Sequence, residues 1–450
     1  MKDIVSLAKR RGFIFPSSEI YGGVEALWDY GPLGAATKQN IKDAWISRFV
    51  REQDSMVLID AAIIMHPAVW KASGHLENFT DPLIECKTCN ARFRADHMMD
   101  GRFVGQGEAK EKNQCPNCGD RDFTQPKDFN LMFKTFLGPV EDSANTAYLR
   151  PETAQAMFTD FKLVQESMRL KLPFGIAQIG KSFRNEITTG NFTFRSREFE
   201  IAEAEFFVRP GEDEKWFEYW LDQWEKFFVD MGLNPKKLRR YEHPKNSLAH
   251  YSKRTVDIEY EFPFGWSELG GVANRTDFDL RQHEKASGKD LSYLDEESGK
   301  KIIPYVIEPT LGIERLLLAL LLDSYRVVKG GRSTTTKSVK EEEVMLDLRP
   351  QIAPVKVAVF PLLRNKPELV SKAREIFEEL RKHFACQYDE TGAVGRRYRR
   401  QDEIGTPFAV TVDFETLEQG SVTLRDRNTM EQERVQITQL KDVISKRLKA

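Results

Sequence analysis

Residues 183–200 read FRNEITTGNFTFRSREFE. Four phenylalanines (Phe183, Phe192, Phe194, Phe199) interleave with three arginines (Arg184, Arg195, Arg197) and their acidic neighbours. A solvated charged face has no use for four aromatic rings, and a core strand does not carry three guanidinium groups. The pattern predicts two strands across 175–208, joined by a loop around Thr188-Thr189-Gly190-Asn191. Arg184 and Glu186, two residues apart, are expected on one side of the first strand. Arg195 and then Phe199-Glu200 are expected on its antiparallel partner. Such a hairpin offers a permanently charged planar fork, an aromatic face and carboxylate acceptors, the parts needed to hold a nucleoside triphosphate. A charge-laced hairpin with ordinary cross-strand pairs fits the same letters.

A second stretch weighs between these readings. IEPTLGIERLLLALLL (307–322) is expected to end a strand at Glu308, turn at Pro309–Gly312 and enter a helix carrying Glu314 and Arg315. Gly312 lets the backbone pass close to a ligand. Arg315 at the helix start is positioned to lie across one face of a base whose other face meets Phe199. The chain has neither G-x-x-x-x-G-K-[ST] nor G-x-G-x-x-G, so a nucleotide site here uses neither a P-loop nor a Rossmann turn. An antiparallel sheet clamped by arginines remains.

Working outward, a turn-like DYGPLG (29–34) precedes a helix with Ile41, Trp45 and Phe49 on one face. Met157, Phe161, Val164 and Met168 predict a helix over 152–169. The segment 212–232 carries Phe217, Trp220, Leu221, Trp224 and Phe228 at helical spacing, with Gly232 as its stop. This aromatic stripe reads as a core-facing helix rather than a base-stacking platform. Strands are expected over 255–280 and 302–310, and an apolar helix over 311–328. Residues 329–343 (KGGRSTTTKSVKEEE) have no apolar period and read as a mobile loop. After Pro350 a β-α-β-β-α pattern follows, with strands at 355–360, 408–414 and 421–427. Its first helix starts at Pro367 with Val370, Ala373, Phe377 and Leu380 on one face, and its tail is helical from Thr438.

Cys86-Lys-Thr-Cys89 and Cys115-Pro-Asn-Cys118 supply four thiolates within a polar insert at 82–128. Two C-x-x-C knuckles suit tetrahedral zinc, and four sulfurs close the coordination sphere, so the metal would be structural. A metal-free ribbon, or exchange of one thiolate for His97, fits the same spacing. The fifth cysteine, Cys386, stands alone. Among 450 residues, 67 Lys and Arg stand against 69 Asp and Glu, a net charge of −2. A protein that coats nucleic acid is usually basic overall, so nucleic-acid contact here must come from local patches. One candidate is Arg396-Arg397-Tyr398-Arg399-Arg400, which also reads as a solvated face. The longest strongly apolar run, 316–322, is too short to span a membrane. With no secretory leader and no disulfide framework, a cytoplasmic protein is expected.

FRNE, a loop and RSREFE resemble motif 2 of class II aminoacyl-tRNA synthetases; GIER with its apolar helix resembles motif 3, and the helix after DYGPLG leading to His66-Pro67 resembles motif 1. WDYGPLG (28–34), SGHLENFTDP (73–82), FRADH (93–97), RPETAQAMF (150–158), SELGGVANRTDFDL (267–280) and VIEPTLGIER (306–315) are similar to the homodimeric glycyl-tRNA synthetase family. The tail around 395–413 resembles a class IIa anticodon-binding domain. The resemblance implies an α+β catalytic domain built on an antiparallel sheet flanked by helices (1–345), a zinc-ribbon-like insert, and an α/β anticodon-binding domain (350–450). It implies a homodimer acting on ATP, glycine and tRNA(Gly), with Mg²⁺ accompanying ATP and structural Zn²⁺ in the insert. The ATP site would comprise Arg184, Asn185, Glu186, Phe194, Arg195, Phe199, Glu268, Leu269, Gly312, Glu314 and Arg315. Arg184, Arg315 and Glu268 would be catalytic, Glu268 being the candidate Mg²⁺ ligand. Glycine would meet Arg94, Glu152, Phe199, Glu200, Glu203, Glu308 and Thr310, although Arg94 also reads as a surface residue of the insert. Thr310 stands where the family has serine, keeping the hydroxyl and adding a methyl. A class IIa enzyme for threonine, proline or serine, and a non-catalytic relative similar to a polymerase accessory subunit, are the rival readings.

Overall fold

A computed structural model describes residues 1–96, 112–329 and 342–449. His97 and nearly all of the loop expected at 329–343 lie outside the described residues. Helix α1 (Pro32–Ile46) starts with proline in its first turn, where the missing N–H costs nothing. Gly34 packs so tightly on the Phe13 carbonyl that a Cβ would come 1.9 Å from its oxygen. Ile41, Trp45 and Phe49 are buried as their spacing predicts.

Strand β1 (Met56–Leu58) runs parallel to β2 (Phe174–Phe183). Between them stand α2 (Ala154–Thr159) and α3 (Phe161–Met168), where one helix over 152–169 is expected. The break at Asp160 and the left-handed Arg169 end the stripe early, and Met168 is exposed. Next come β3 (Glu198–Val208), α4 (Asp213–Asp230), β4 (Leu238–Glu242), β5 (Arg254–Phe262), β6 (Gly265–Thr276), α5 (Phe278–Ser287), β7 (Tyr305–Gly312) and α6 (Ile313–Ser324). The strands form one seven-stranded sheet in the order β4-β5-β6-β7-β3-β2-β1, antiparallel except at β1. Residues 325–329 leave α6 as a strand rather than continuing the helix.

Strand alternation gives this sheet two different faces. Ala202, Ala204 and Phe206 of β3, Ile307 and Leu311 of β7, Val272 of β6 and Ile258 of β5 join one buried apolar cluster. Helices α4 and α6 pack there, and Phe217, Trp220, Leu221, Trp224 and Phe228 are core residues of that layer. On the opposite face stand Gln178, Phe199, Ile201, Glu203, Glu205, Glu308 and Thr310, following the registers Gln178–Glu203 and Glu203–Thr310. The far end of that face is closed by Phe158, Phe161, Phe174, Phe207 and Leu280. The near end is open.

After Pro350 come β8 (Val357–Pro361), α7 (Pro367–Leu380), β9 (Cys386–Tyr388), α8 (Val394–Asp402), β10 (Phe408–Val412), α9 (Phe414–Gln419), β11 (Ser421–Asp426), β12 (Gln432–Gln436) and α10 (Ile437–Lys449). The sheet order β9-β8-β10-β11-β12 mixes parallel and antiparallel pairs, two strands more than the β-α-β-β-α pattern allows. The strands missed are short or polar, and β12 reads QERVQ. Helix α7 buries Leu369, Ala373, Ile376 and Leu380, a face rotated from the expected one.

Trp224 joins the two faces of the main sheet. Its ring packs on Trp45, Phe49 and Trp220 in the core. Its Nε1 donates to the Thr310 carbonyl at 2.9 Å. Trp224→Ala is expected to cost about 3–5 kcal/mol, read as a lower denaturant midpoint of the first unfolding transition.

Candidate active site

Strand β2 stops at Phe183, so Arg184-Asn185-Glu186 is not strand, as the hairpin reading supposed, but a loop pinned by other chain segments. The Arg184 N–H donates to the Arg197 carbonyl (2.9 Å) and the Asn185 N–H to the Leu131 carbonyl (2.8 Å). The Arg184 guanidinium lies over Phe199 at 5.3 Å and over Phe79 at 5.5 Å, with Nε donating to the Pro151 carbonyl. Arg195 likewise precedes β3, following a 3₁₀ turn at Phe192–Phe194. It comes within 3.5 Å of Glu186, yet among the described residues its buried Nε and Nη1 donate to no acceptor. Such donors fit an anion.

Strand β7 continues through Pro309 to Gly312 instead of turning after Glu308, which keeps Glu308 and Thr310 on one face. Arg315, at the start of α6, pairs with Glu268 at 2.9 Å and lies 4.5 Å over Phe194. The ring facing Arg315 is therefore Phe194, and the ring facing Arg184 is Phe199. Crowding by neighbouring atoms acts to raise the half-exposed Glu268 carboxyl, but Arg315, Arg184 and Arg195 together hold it below its ordinary value. Gly270 pairs with Ile258 and Glu268 with Glu259, so Leu269 is the extra residue of a bulge. The bulge reverses the alternation, turning Glu268 to the cleft and Leu269 into the core, where it is fully buried.

The cleft has a cavity volume of about 160 Å³ and is lined by Arg184, Glu186, Phe194, Arg195, Phe199, Gly312, Glu314 and Arg315 toward one end. Glu152, Glu203, Glu308, Thr310 and Tyr251 line the other. Glu203 accepts the Thr153 N–H at 2.6 Å and the Thr153 hydroxyl. Glu152 accepts Gln155 Nε2 at 2.9 Å and lies 3.5 Å from His75 Nε2. Burial acts to raise its carboxyl pKa, but His75 and Arg275 bring it far below the ordinary range. Glu308 accepts Arg275 Nη1 at 2.8 Å, yet burial and the neighbouring carboxyls push its own carboxyl up. Burial and the neighbouring Glu152 raise Glu203. The Thr310 hydroxyl is buried and meets no partner among the described residues.

Four expected site residues stand elsewhere. Glu200 neighbours Phe199 on the strand and so faces away from the cleft; it pairs with Lys38 (2.7 Å) and Lys42 (3.1 Å) of α1. Arg94 is held by Asp81 (2.9 Å) and Asp96 (2.7 Å), though its charge still acts on Arg195. Leu269 is core, and the Asn185 side chain does not line the cleft. The run at 396–400 is helical in α8 and largely committed. Arg397 is buried and donates to the carbonyls of Gly392 and Pro361, Arg400 pairs with Asp389, and the Tyr398 hydroxyl bonds Thr411. Arg396 remains exposed.

Sequence reasoning missed Arg275, which is 1% exposed, bonded to Asp279 and Glu308, and stacked 3.9 Å over Tyr251. An arginine inside the apolar-small run GGVANRT was a signal for it. It also missed Tyr251, His75 and Lys38. Lys38 Nζ reaches Glu314 at 2.5 Å, tying α1 to the residue beside Arg315.

In the insert, Cys86 and Cys118 Sγ are 3.6 Å apart, as are Cys89 and Cys115. All four sulfurs lie within 4.8 Å of one another. A disulfide needs about 2.05 Å, whereas thiolates about 2.3 Å from a tetrahedral metal lie roughly 3.8 Å apart. The cluster fits a metal.

An open antiparallel sheet with arginines over one end of its cleft and buried carboxylates under the other defines the core of a class II aminoacyl-tRNA synthetase. Residues 133–325 match the tRNA synthetase class II core domain (G, H, P, S and T), and residues 356–447 match the anticodon binding domain. The chain is 54% identical to a glycine--tRNA ligase of Streptomyces coelicolor, over 99% of this chain and 98% of the relative. It is 52% identical to those of Thermobifida fusca and Geobacillus thermodenitrificans, over all of this chain and 98% and 97% of theirs. The chain belongs to the glycine–tRNA ligase family, a family of ligases within that class.

Proposed function

We propose that the chain activates glycine with ATP, giving glycyl-adenylate and pyrophosphate, and transfers the glycyl group to the 3′-terminal ribose of tRNA(Gly). The observation that carries this reading is the division of one cleft into a cationic end and an anionic end. Arg184, Arg195 and Arg315 supply fixed positive charge, and Arg195 has buried donors to spare. Glu152, Glu203 and Glu308 supply the opposite charge beside a free hydroxyl on Thr310. A zwitterion with its ammonium on the acids puts its carboxylate toward the arginines, next to a triphosphate.

A carboxylate is already a nucleophile, so its in-line attack on the α-phosphorus needs no general base. Catalysis is positioning and charge stabilisation. Arg184 binds the α-phosphate and the glycine carboxylate; Arg315 and Phe199 hold the adenine, with Glu186 facing its amine. Arg315 contacts Phe194 and Glu268, and a bound nucleotide would take the place of those contacts. Hard cations take carboxylate oxygens, and Glu268 would hold Mg²⁺. Bound there, the ion would neutralise phosphate charge. Glycine has no side chain to recognise, so selectivity comes from excluding larger ones.

The chain divides into a catalytic unit (1–345) and an anticodon-binding unit (350–450), works in the cytoplasm, and pairs as a homodimer through the region of α1. Ile20 and Tyr21, 90% and 87% exposed, are apolar side chains that a second copy would cover. No helix among the described residues is long and apolar enough to cross a membrane. The presence of all three arginines favours an enzyme over a non-catalytic relative.

Glycine-dependent exchange of pyrophosphate into ATP is the test; no exchange with any amino acid overturns the reading. Arg184→Ala and Arg315→Ala are each expected to lose about 3–4 kcal/mol of transition-state stabilisation, a 10²–10³-fold slower exchange. Metal analysis is expected to give about one zinc per chain, lost with a lower melting temperature in Cys89→Ser. Light scattering is expected to give twice the chain mass of 51.9 kDa.

A further inference from the structure

Glu205 is fully buried, and among the described residues no N–H or O–H group donates to either of its carboxyl oxygens. An isolated carboxylate in that position would be strongly unfavourable, so the group is there for a reason other than packing. Its place on the sheet supplies one. The register sets Glu203 against Thr310 and Phe206 against Ile307, which brings Glu205 opposite Glu308 on the face that carries the acidic end of the cleft. Glu203, Glu205, Glu308 and Glu152 thus stand together behind and around one subsite.

We propose that Glu205 is a positioning residue for the ammonium subsite, acting as a protonated acid that shares its proton with Glu308 across the strands and so orients Glu308 toward the substrate. This rests on the glycine-activating reading of the cleft and deepens it.

The charges around Glu205 support the assignment. From its own strand comes Glu203, from β7 Glu308, from β6 Arg275, and from α5 Asp279. Glu152 and His75 complete the ring next to Glu308. Among the described residues Arg275 is the one fully buried cation beside Glu205, and its guanidinium is already divided between Asp279 and Glu308. No other described cation stands against Glu205 to balance a second negative charge. Burial, then Glu308, pushes its carboxyl well above the ordinary range despite Arg275. Two facing carboxyls that cannot both ionise hold one proton between them. A proton on Glu205 gives Glu308 a donor on the side away from the ligand, while Arg275 donates to Oε1 at 2.8 Å. Glu308 is then fixed from behind and free to accept the ammonium in front. Glu205 itself, sealed from the cleft, does not touch substrate.

The test separates a neutral acid from a charge and from mere filling. Glu205→Gln keeps the shape, the neutrality and a donor; Glu205→Leu keeps the bulk and loses the donor. In glycine-dependent pyrophosphate exchange, E205Q is expected to hold KM for glycine within about threefold of wild type, while E205L raises it about tenfold with little change in kcat; the tenfold step is the size of one hydrogen bond to a charged group. Infrared difference spectra at pH 7.5, wild type minus either variant, are expected to show the carbonyl stretch of a protonated carboxyl. A tenfold KM rise in E205Q would mean that Glu205 acts as a charge, and a wild-type KM in E205L would mean that it acts as filling; either overturns the proposal. Absence of the carboxyl band overturns it independently of activity, and the spectrum of E205L decides should E205Q not fold. Failure of wild type to exchange with glycine overturns the functional reading along with it.

Discussion

Strand β3 has to serve two environments at once. Its even-numbered residues Ala202, Ala204 and Phe206 enter an apolar core, and its odd-numbered residues Phe199, Ile201, Glu203 and Glu205 face a cleft or the polar layer behind it. The two-residue period of a strand is the only thing separating them. A slip of one residue would put glutamates among the tryptophans of α4 and alanines in the cleft. Every other part of the site is referenced to this strand. Glu308 and Thr310 reach the cleft through their register with β3, and Arg184 and Arg195 occupy the loop that leads from β2 into it.

Charge balance is the second constraint. Carboxylates that bind an ammonium must exist before it arrives, and crowding them in a buried place is unfavourable. The protein offsets this with one buried arginine and with backbone donors. Arg275 covers Glu308 and approaches Glu152, and Thr153 covers Glu203. The same logic operates on the other side of β3, where Lys38 is placed between Glu200 and Glu314. That ion triad holds α1, the helix resembling motif 1, against the strand bearing Phe199 and the helix bearing Arg315. Replacing Lys38 alone would leave Glu314 without its cation and Glu200 with Lys42 only, so α1 is energetically part of the site although none of its residues lines the cleft.

Much of this was legible in the sequence where local pattern and chemistry agreed. The α4 stripe and the 41/45/49 face are core because 3.6-residue spacing of aromatics leaves little else for them to be. The four cysteines meet because two knuckles bring four sulfurs together without long-range help. Glu200 is the instructive miss. Alternation on a strand containing Phe199 and Glu203 already sends Glu200 to the opposite face, so the residues themselves argued against it as a glycine contact. Leu269 is a miss of another kind, because a bulge reverses the alternation and no residue in SELGG announces it. The basic run at 396–400 misled because arginine in a helix can be a surface charge or a buried donor, and only the carbonyls of Gly392 and Pro361 decide which.

The sequence alone determined which residue types were available and which elements would carry them: an arginine-bearing hairpin, an apolar helix opening on Glu314-Arg315, a four-thiolate insert and a separate α/β tail. These follow from periodicity and composition, which act over a few residues. Tertiary structure decided which charges would face one another, because the pairing of β3 with β7 joins positions about a hundred residues apart, and buried electrostatics depends on those distances. Arg275 between Glu308 and Asp279, Lys38 between Glu200 and Glu314, and Glu205 left without a counter-ion are outcomes of that pairing, which no local pattern encodes.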